Sequence, residues 1–397
     1  MRILVSSHSS EIAGAELCLV ELIRALRDGG HSGVVSVPEA GPLEKELAQF
    51  HPQFSVQRVP TRRWMGKRFS LIPGVIRLIQ ALSDVRFHRR LIQRHDFDLV
   101  VVNTCVIPAP LIAARLSATR VVTVVRESVK SNPTLRSVVP RTVICSVISI
   151  LSDLVIVNSE YIAEQFGRPS ELIYPSLSRR FVDVDSGRGF SNRSRFGEGL
   201  FRIVMLGTLS SEKGQIDLVM AASILKEFGL AFEVGVYGYG DDRAIERLKM
   251  EIDVRGLVDH VRYYGHVQDS KSVLVGADVS VVCSRNEAFG KVTVESIACG
   301  TPVVGYGCGG TAEIIRQGGG VLVPPDHREL ARSLMELAVS PGIGMGLSTA
   351  CRANSIVRQC TESATKTVNR LESVLVGPKS TEQFDTNSNI WVGDDVE

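Results

Sequence analysis

The chain has 397 residues, 44% of them hydrophobic, and a formal net charge of only +2. That length suits roughly two to three domains with buried cores, and the charge balance excludes a global field that would draw nucleic acid as a partner. The eight cysteines are scattered without a C-x-x-C pair, which points to a reducing, cytosolic compartment and away from a disulfide framework.

The first apolar run, at residues 3–7, is too short for a signal peptide and reads as a buried strand. After a loop, residues 15–27 place apolar side chains at 17, 19, 20, 22, 23 and 26, a helical period that Gly29-Gly30 ends. Residues 32–37 read as the next strand, so the chain opens with a βαβ unit and a parallel sheet. Gly14 lies at the first strand-to-helix turn. It is either an ordinary βα turn or a place where the backbone approaches a sugar or phosphate at the carboxyl end of the sheet.

Residues 58–94 hold ten Arg and Lys against the single acid Asp84, together with Trp64, Phe69 and one helical stretch over 71–92. Such a segment fits either peripheral contact with an anionic membrane or a solvated helix face. Strand-like runs at 99–102, 120–125 and 154–157 end in Asn103-Thr104, Arg126-Glu127 and Asn158-Ser159, polar residues of the kind that line the crevice of an open sheet. The apolar stretch 143–157 is interrupted by Ser146, Ser149, Ser152 and Asp153 and falls short of a membrane span.

From 179 to 199 the composition turns to Ser, Gly, Asp and Arg, the expected interdomain linker. Its Asp183-Val184-Asp185 is read as noise, because a metal-holding pair needs a strand end beside a nucleotide; no metal is expected. A second α/β domain starts with a strand at 201–206, followed by Gly207, Thr208 and then Lys213-Gly214 ahead of a helix over 215–228. That order places an ammonium at a helix N-terminus, where it would hold and neutralise a diphosphate. A strand at 232–237 runs into Gly238-Tyr239-Gly240-Asp241, a tight loop suited to backbone approach by a nucleotide. A helix at 243–254 and a short strand at 261–264 then lead to Gly265-His266-Val267.

The densest signal is Ser284 to Gly310. A polar loop carrying Glu287 passes through Phe289 and Gly290 into a helix-length apolar segment that stops at Gly300 and Pro302. A helix beginning near Phe289 to Lys291 aims its unpaired N–H groups and positive dipole end at that loop, a seat for phosphate. Glu287 sits beside the seat, where a carboxylate accepts hydrogen bonds from hydroxyls. Glu295 lies inside the helix at i, i+4 from Lys291. After Gly309-Gly310 come a helix with Glu313, a turn at Gly318 to Gly320, a helix at 328–338 and a last helix at 356–375.

The pair Glu287 and Glu295, followed by Ala-Cys-Gly-Thr-Pro-Val-Val and Gly309-Gly310, resembles the signature of the retaining glycosyltransferase family 4, the group 1 glycosyl transferases of GT-B fold. Gly14-Ala15-Glu16 is similar to that family's Gly-Gly-Ala-Glu element, with Ala13 in place of the first glycine, and Gly265-His266-Val267 resembles its loop beside the base. Arg126-Glu127 departs from the family's His-acid pair, Thr208 stands where relatives carry arginine, and Tyr174-Pro175-Ser176 lacks the usual asparagine and glycine. Arg285 or Lys291 would have to replace the missing cation.

The resemblance implies an α/β protein of two doubly wound Rossmann-like domains facing across a cleft. Residues 1–185 would form the acceptor side and 200–345 the nucleotide-sugar side, with a helical segment at 346–376 crossing back and a disordered tail at 377–397. It implies a retaining, metal-independent transfer from a nucleoside diphosphate sugar, with no other cofactor, to a carbohydrate or lipid-linked acceptor in polysaccharide or glycoconjugate synthesis. Lys213 and Glu287 would be catalytic. Gly207, Thr208, Gly238, His266, Phe289, Gly290, Lys291 and Glu295 would bind donor, and Gly14, Arg126 and Glu127 would face the acceptor. An inactive GT-B scaffold and a nucleotide-sugar epimerase are the competing readings.

Overall fold

A computed structural model describes residues 1–66, 71–132, 135–166, 170–182 and 199–377. Asp183 and Asp185, the pair read as noise, most of the expected linker, the tail from 378, and Lys67, Arg68 and Phe69 lie outside the described residues. The chain divides into two compact units. Among the described residues, one comprises those within 1–158, 162–173 and 364–377, and the other those within 159–161 and 174–363.

In the first unit seven parallel strands form one sheet: β1 (Arg2–Ser6), β2 (Ser32–Val37), β3 (Phe54–Arg58), β4 (Leu99–Val102), β5 (Arg120–Val125), β6 (Leu154–Val157) and β7 (Ser170–Leu172). Their order is β3-β2-β1-β4-β5-β6-β7, so the winding reverses between β1 and β4, and the carboxyl ends of those strands open the crevice where such sheets hold ligands. Helix Gly14–Asp28 covers β1 and β2 through Leu19, Ile23 and Leu26, all fully buried with Ile3, Val5 and Val35. Val368 and Leu371 of helix Ser355–Val376 close the same core. Truncating any of the three leucine or isoleucine side chains to alanine costs roughly 2–5 kcal/mol.

Strands β3 and β7 escape the sequence reading. The first is an edge strand with Ser55 and Gln57 breaking its apolar run, and the second has only three residues, one of them Glu171. The helical stretch expected over 71–92 is two helices, Leu71–Ser83 and Val85–His95. Between them the fully buried Asp84 carboxylate accepts hydrogen bonds from the Arg62 backbone at 2.8 Å and from the Arg62 guanidinium at 3.0 Å, which pins the break. The apolar stretch 143–157 divides into helix Arg141–Leu151 and β6. Among the described residues no helix is long and apolar enough to cross a membrane.

The second unit repeats the plan with β8 (Phe201–Leu206), β9 (Phe232–Tyr237), β10 (Val261–Gly265), β11 (Val279–Val282), β12 (Val303–Tyr306) and β13 (Gly320–Val323) in the order β10-β9-β8-β11-β12-β13. Its reversal falls between β8 and β11. Residues 174–182, expected in the first domain, belong to this unit. The Tyr174 hydroxyl donates to Glu313 at 2.7 Å, and Leu177 N donates to the Cys360 carbonyl at 3.1 Å. Residues 179–182, expected as linker, form a short helix whose Phe181 is buried.

Candidate active site

The carboxyl end of β8 leads into Gly207, whose φ of +144° is open to glycine and whose missing side chain leaves empty space. Gly238, at the end of β9, has the same φ, but there an added Cβ would lie 1.9 Å from the Gly207 carbonyl oxygen. The close approach that demands glycine at 238 is therefore to the neighbouring loop. Gln215, unremarked in the sequence, fixes Thr208 and its loop: its amide donates to the Thr208 carbonyl at 3.1 Å, and its oxygen accepts from Ser210 N at 3.3 Å. His266 stacks on Tyr239 with centroids 4.1 Å apart.

Lys213 follows in that loop, held by a hydrogen bond from its N–H to the Ser210 carbonyl at 3.1 Å. Gly214, at φ +74°, caps helix Gln215–Glu227, and an added Cβ would strike the Cys283 Cβ at 2.6 Å. The Lys-Gly pair is thus pressed against the end of β11. The Lys213 ammonium donates to Glu287 Oε2 at 2.5 Å, with the two side chains 34% and 19% exposed. Two of the residues singled out 74 positions apart in sequence meet at one point.

Helix Lys291–Ala298 begins where expected, with Gly290 as its cap at φ +105°. Its first-turn N–H groups have no intrahelical acceptor. The loop before it is braced by Gly309-Gly310. Gly310 N donates to the Glu287 carbonyl at 2.9 Å, and side chains at 309 and 310 would come within 2.2 Å of the Glu287 and Phe289 carbonyl oxygens. Ser159 adds a bond from its hydroxyl to the Ala288 carbonyl at 2.6 Å. The Phe289 ring is buried against Tyr174, with centroids 5.8 Å apart, so its side chain packs the unit and leaves the backbone of 289 and 290 to face the loop.

Neither substitute cation stands unengaged. Arg285 pairs with Asp217 at 2.7 Å, where Tyr306 also donates, and Lys291 lies 3.9 Å from Glu295. Glu295 is buried; desolvation pushes its carboxyl above the usual range, against the pull of Lys291 and Arg180. Glu313, near the start of the next helix, is a brace: its carboxylate accepts from Glu160 N and Tyr174.

In the first unit, Gly14 is the first residue of its helix, behind the extended Ala13. Arg126 Nε donates to Asn103 Oδ1 at 2.8 Å, and Glu127 accepts from Thr104 Oγ1 at 3.0 Å and from Cys105. These residues sit at the carboxyl ends of β4 and β5, and their charges act on two residues not singled out as site candidates, His8 and Glu16. His8 Nδ1 and Glu16 Oε1 are 3.7 Å apart, both buried without a hydrogen-bond partner. Burial pushes the Glu16 carboxyl up and the His8 imidazole down, the latter helped by Arg63 and opposed by Glu127. The available signal was position: His8 stands two residues past β1, and Glu16 in the first turn of the following helix.

Two family models match the chain, a glycosyl transferase 4-like domain over residues 13–171 and glycosyl transferases group 1 over 190–355. A D-inositol 3-phosphate glycosyltransferase of Salinispora arenicola is 31% identical over 236 residues, 53% of this chain and 52% of that relative; the match therefore spans about half the relative's length. Among solved structures, Anabaena HepE in complex with UDP and glucose superposes with a TM-score of 0.71 at 21% identity, covering 93% of this chain and 99% of that one. Sucrose-phosphate synthase from Thermosynechococcus elongatus gives 0.74 at 18% identity, covering 95% and 99%. At these identities the structural likeness is one of fold.

Proposed function

We propose that this chain, which belongs to the GT-B glycosyltransferases built from a 4-like domain followed by a group 1 domain, transfers a glycosyl unit from a nucleoside diphosphate sugar to an acceptor hydroxyl with retention at the anomeric carbon. The observation that carries this reading is the 2.5 Å contact between Lys213 and Glu287 beside the mouth of helix Lys291–Ala298. An ammonium and a set of outward N–H groups at one place suit a diphosphate, and a carboxylate next to them suits the hydroxyls of the attached sugar.

In the proposed reaction the bond from the anomeric carbon to the diphosphate oxygen breaks, and the acceptor oxygen bonds that carbon on the same face. The acceptor proton passes to the departing diphosphate. Lys213 and the helix mouth receive the charge that develops on the leaving group, the part a bound cation plays elsewhere, so no resident metal is assigned. Glu287 steers the sugar, and Glu295 holds the ribose once Lys291 turns to the phosphate. Tyr239 and His266, already stacked, offer an aromatic face to the base. UDP, the nucleotide bound in the HepE structure, is the first to try. Arg126 and Glu127 meet the acceptor, and the product class is a polysaccharide or glycoconjugate.

Lys213→Ala and Glu287→Ala should each lower transfer from the preferred donor by roughly 10²–10³-fold, read as diphosphate release in the presence of acceptor. Wild-type rates from both variants would remove the assignment. Thr208 in place of the expected arginine, with Arg285 and Lys291 both tied to acids, favours a second reading, a scaffold that binds without turnover. That reading predicts nucleotide binding in the wild type with no diphosphate release from any donor.

A further inference from the structure

Helix Leu71–Ser83 is laid on the first unit inside out. Its small residues face inward: Ala81 is fully buried, and an added Cβ on Gly74 would stand 2.5 Å from Val138 Cγ1. Its large apolar residues face out, with Ile72 73%, Val75 43%, Ile76 49%, Ile79 61% and Leu82 44% exposed. At spacings of three and four these five form one continuous stripe along the helix. A contiguous apolar row on a surface marks a contact site, because leaving it in water forfeits the free energy of its burial.

The charge around the stripe identifies what covers it. Residues 58–94 carry ten of the chain's 45 Lys and Arg and one of its 43 acids, a net +9 in a protein whose total is +2. The single acid, Asp84, is buried against Arg62 and exposes no negative charge. In the adjoining helix Val85–His95, Arg86, Arg89, Arg90 and Arg94 are exposed, and none has an ion-pair partner among the described residues. An apolar row flanked by unpaired arginines matches the hydrocarbon boundary and the anionic headgroups of a lipid bilayer, each to each.

We infer that helix Leu71–Ser83, flanked by the arginines of helix Val85–His95, docks the protein on an anionic membrane surface, with the row from Ile72 to Leu82 entering the headgroup boundary. The inference does not rest on the transfer reading, since binding is measured without donor or acceptor. It places the acceptor, where transfer occurs, among molecules displayed at that surface.

Co-sedimentation of the full chain with vesicles of mixed phosphatidylglycerol and phosphatidylcholine tests it. Wild-type protein should pellet with these vesicles and not with pure phosphatidylcholine, and high salt should release it. Ile76→Glu with Ile79→Glu should lower the vesicle-bound fraction by about tenfold or more while the melting temperature stays that of the wild type, since both side chains are exposed. Replacing Arg86, Arg89 and Arg90 by Gln should weaken binding and remove its salt dependence. Failure of the wild type to pellet with anionic vesicles, or binding undiminished by the paired glutamates, would overturn the inference. So would a wild-type dimer that the paired glutamates convert to monomer without any vesicle binding, which would assign the stripe to a second copy of the chain.

Discussion

The Glu287 carbonyl oxygen accepts the Gly310 N–H at 2.9 Å and lies 2.2 Å from where residue 309 would carry a Cβ, with Gly309 at φ +54°. An alanine there must displace the loop that presents the Glu287 carboxylate, and its left-handed backbone adds about 1–2 kcal/mol of strain. Gly309→Ala should therefore lower both the melting temperature and donor affinity. Gly346→Ala is the matched control: it lies inside helix Pro341–Ala353 with nothing within 4 Å of an added Cβ, and should stabilise by roughly 0.5–1 kcal/mol. Equal melting temperatures for the two variants would show that the brace is not what fixes Glu287. The brace was half legible in the sequence. Gly309-Gly310 stood out as a pair, but its target, a carbonyl 22 residues earlier, is set by how the helices Lys291–Ala298 and Gly309–Arg316 fold back on each other. Lys213 and Glu287 were legible because each sits at a strand-to-helix junction. Their 2.5 Å contact was not, because the strands that precede the two junctions, β8 and β11, become neighbours only in the sheet.

Among the helices, Val85–His95 carries a pH-dependent term that can be read out directly. His88 is buried with its Nε2 2.9 Å from Thr61 Oγ1, and desolvation pushes its imidazole down from 6.5 to about 4. The fold holds the neutral ring, so its stabilisation is whole above pH about 6.5 and is lost as the pH falls through that value toward about 4. The loss amounts to about 3 kcal/mol over that range. Urea midpoints should fall on acidification, and His88→Gln, which cannot titrate, should show a shallower fall; an identical pH profile would contradict the assignment. Periodicity located this helix but gave no sign of its N-terminal break, because the apolar pattern runs on through Asp84 and the break depends on Arg62, 22 residues away. Strands buried on both faces were plain as Val-rich runs, whereas β3 and β7 at the two edges of their sheet carry the polar residues that edges tolerate.

At the scale of the molecule, both units wind their first six strands in the same order, reversing at the first and fourth, and each builds its own core. Each therefore has one crevice fixed by topology, and the two clusters of site candidates sit at those crevices. The duplicated plan was visible in the sequence as two successions of strand, helix and strand. The return of residues 364–376 to the first unit rests on Val368 and Leu371, whose spacing on a long helix does not say which core they enter. The residues of the second crevice must act on a diphosphate if the reading of this protein is right. Calorimetric titration of the full chain with UDP, GDP and ADP, and with the matching monophosphates, tests that most directly. At least one diphosphate should bind about tenfold or more tightly than its monophosphate, and Lys213→Ala should erase the difference. Binding of none of the three, or a Lys213→Ala protein that keeps the full preference for the diphosphate, would contradict it.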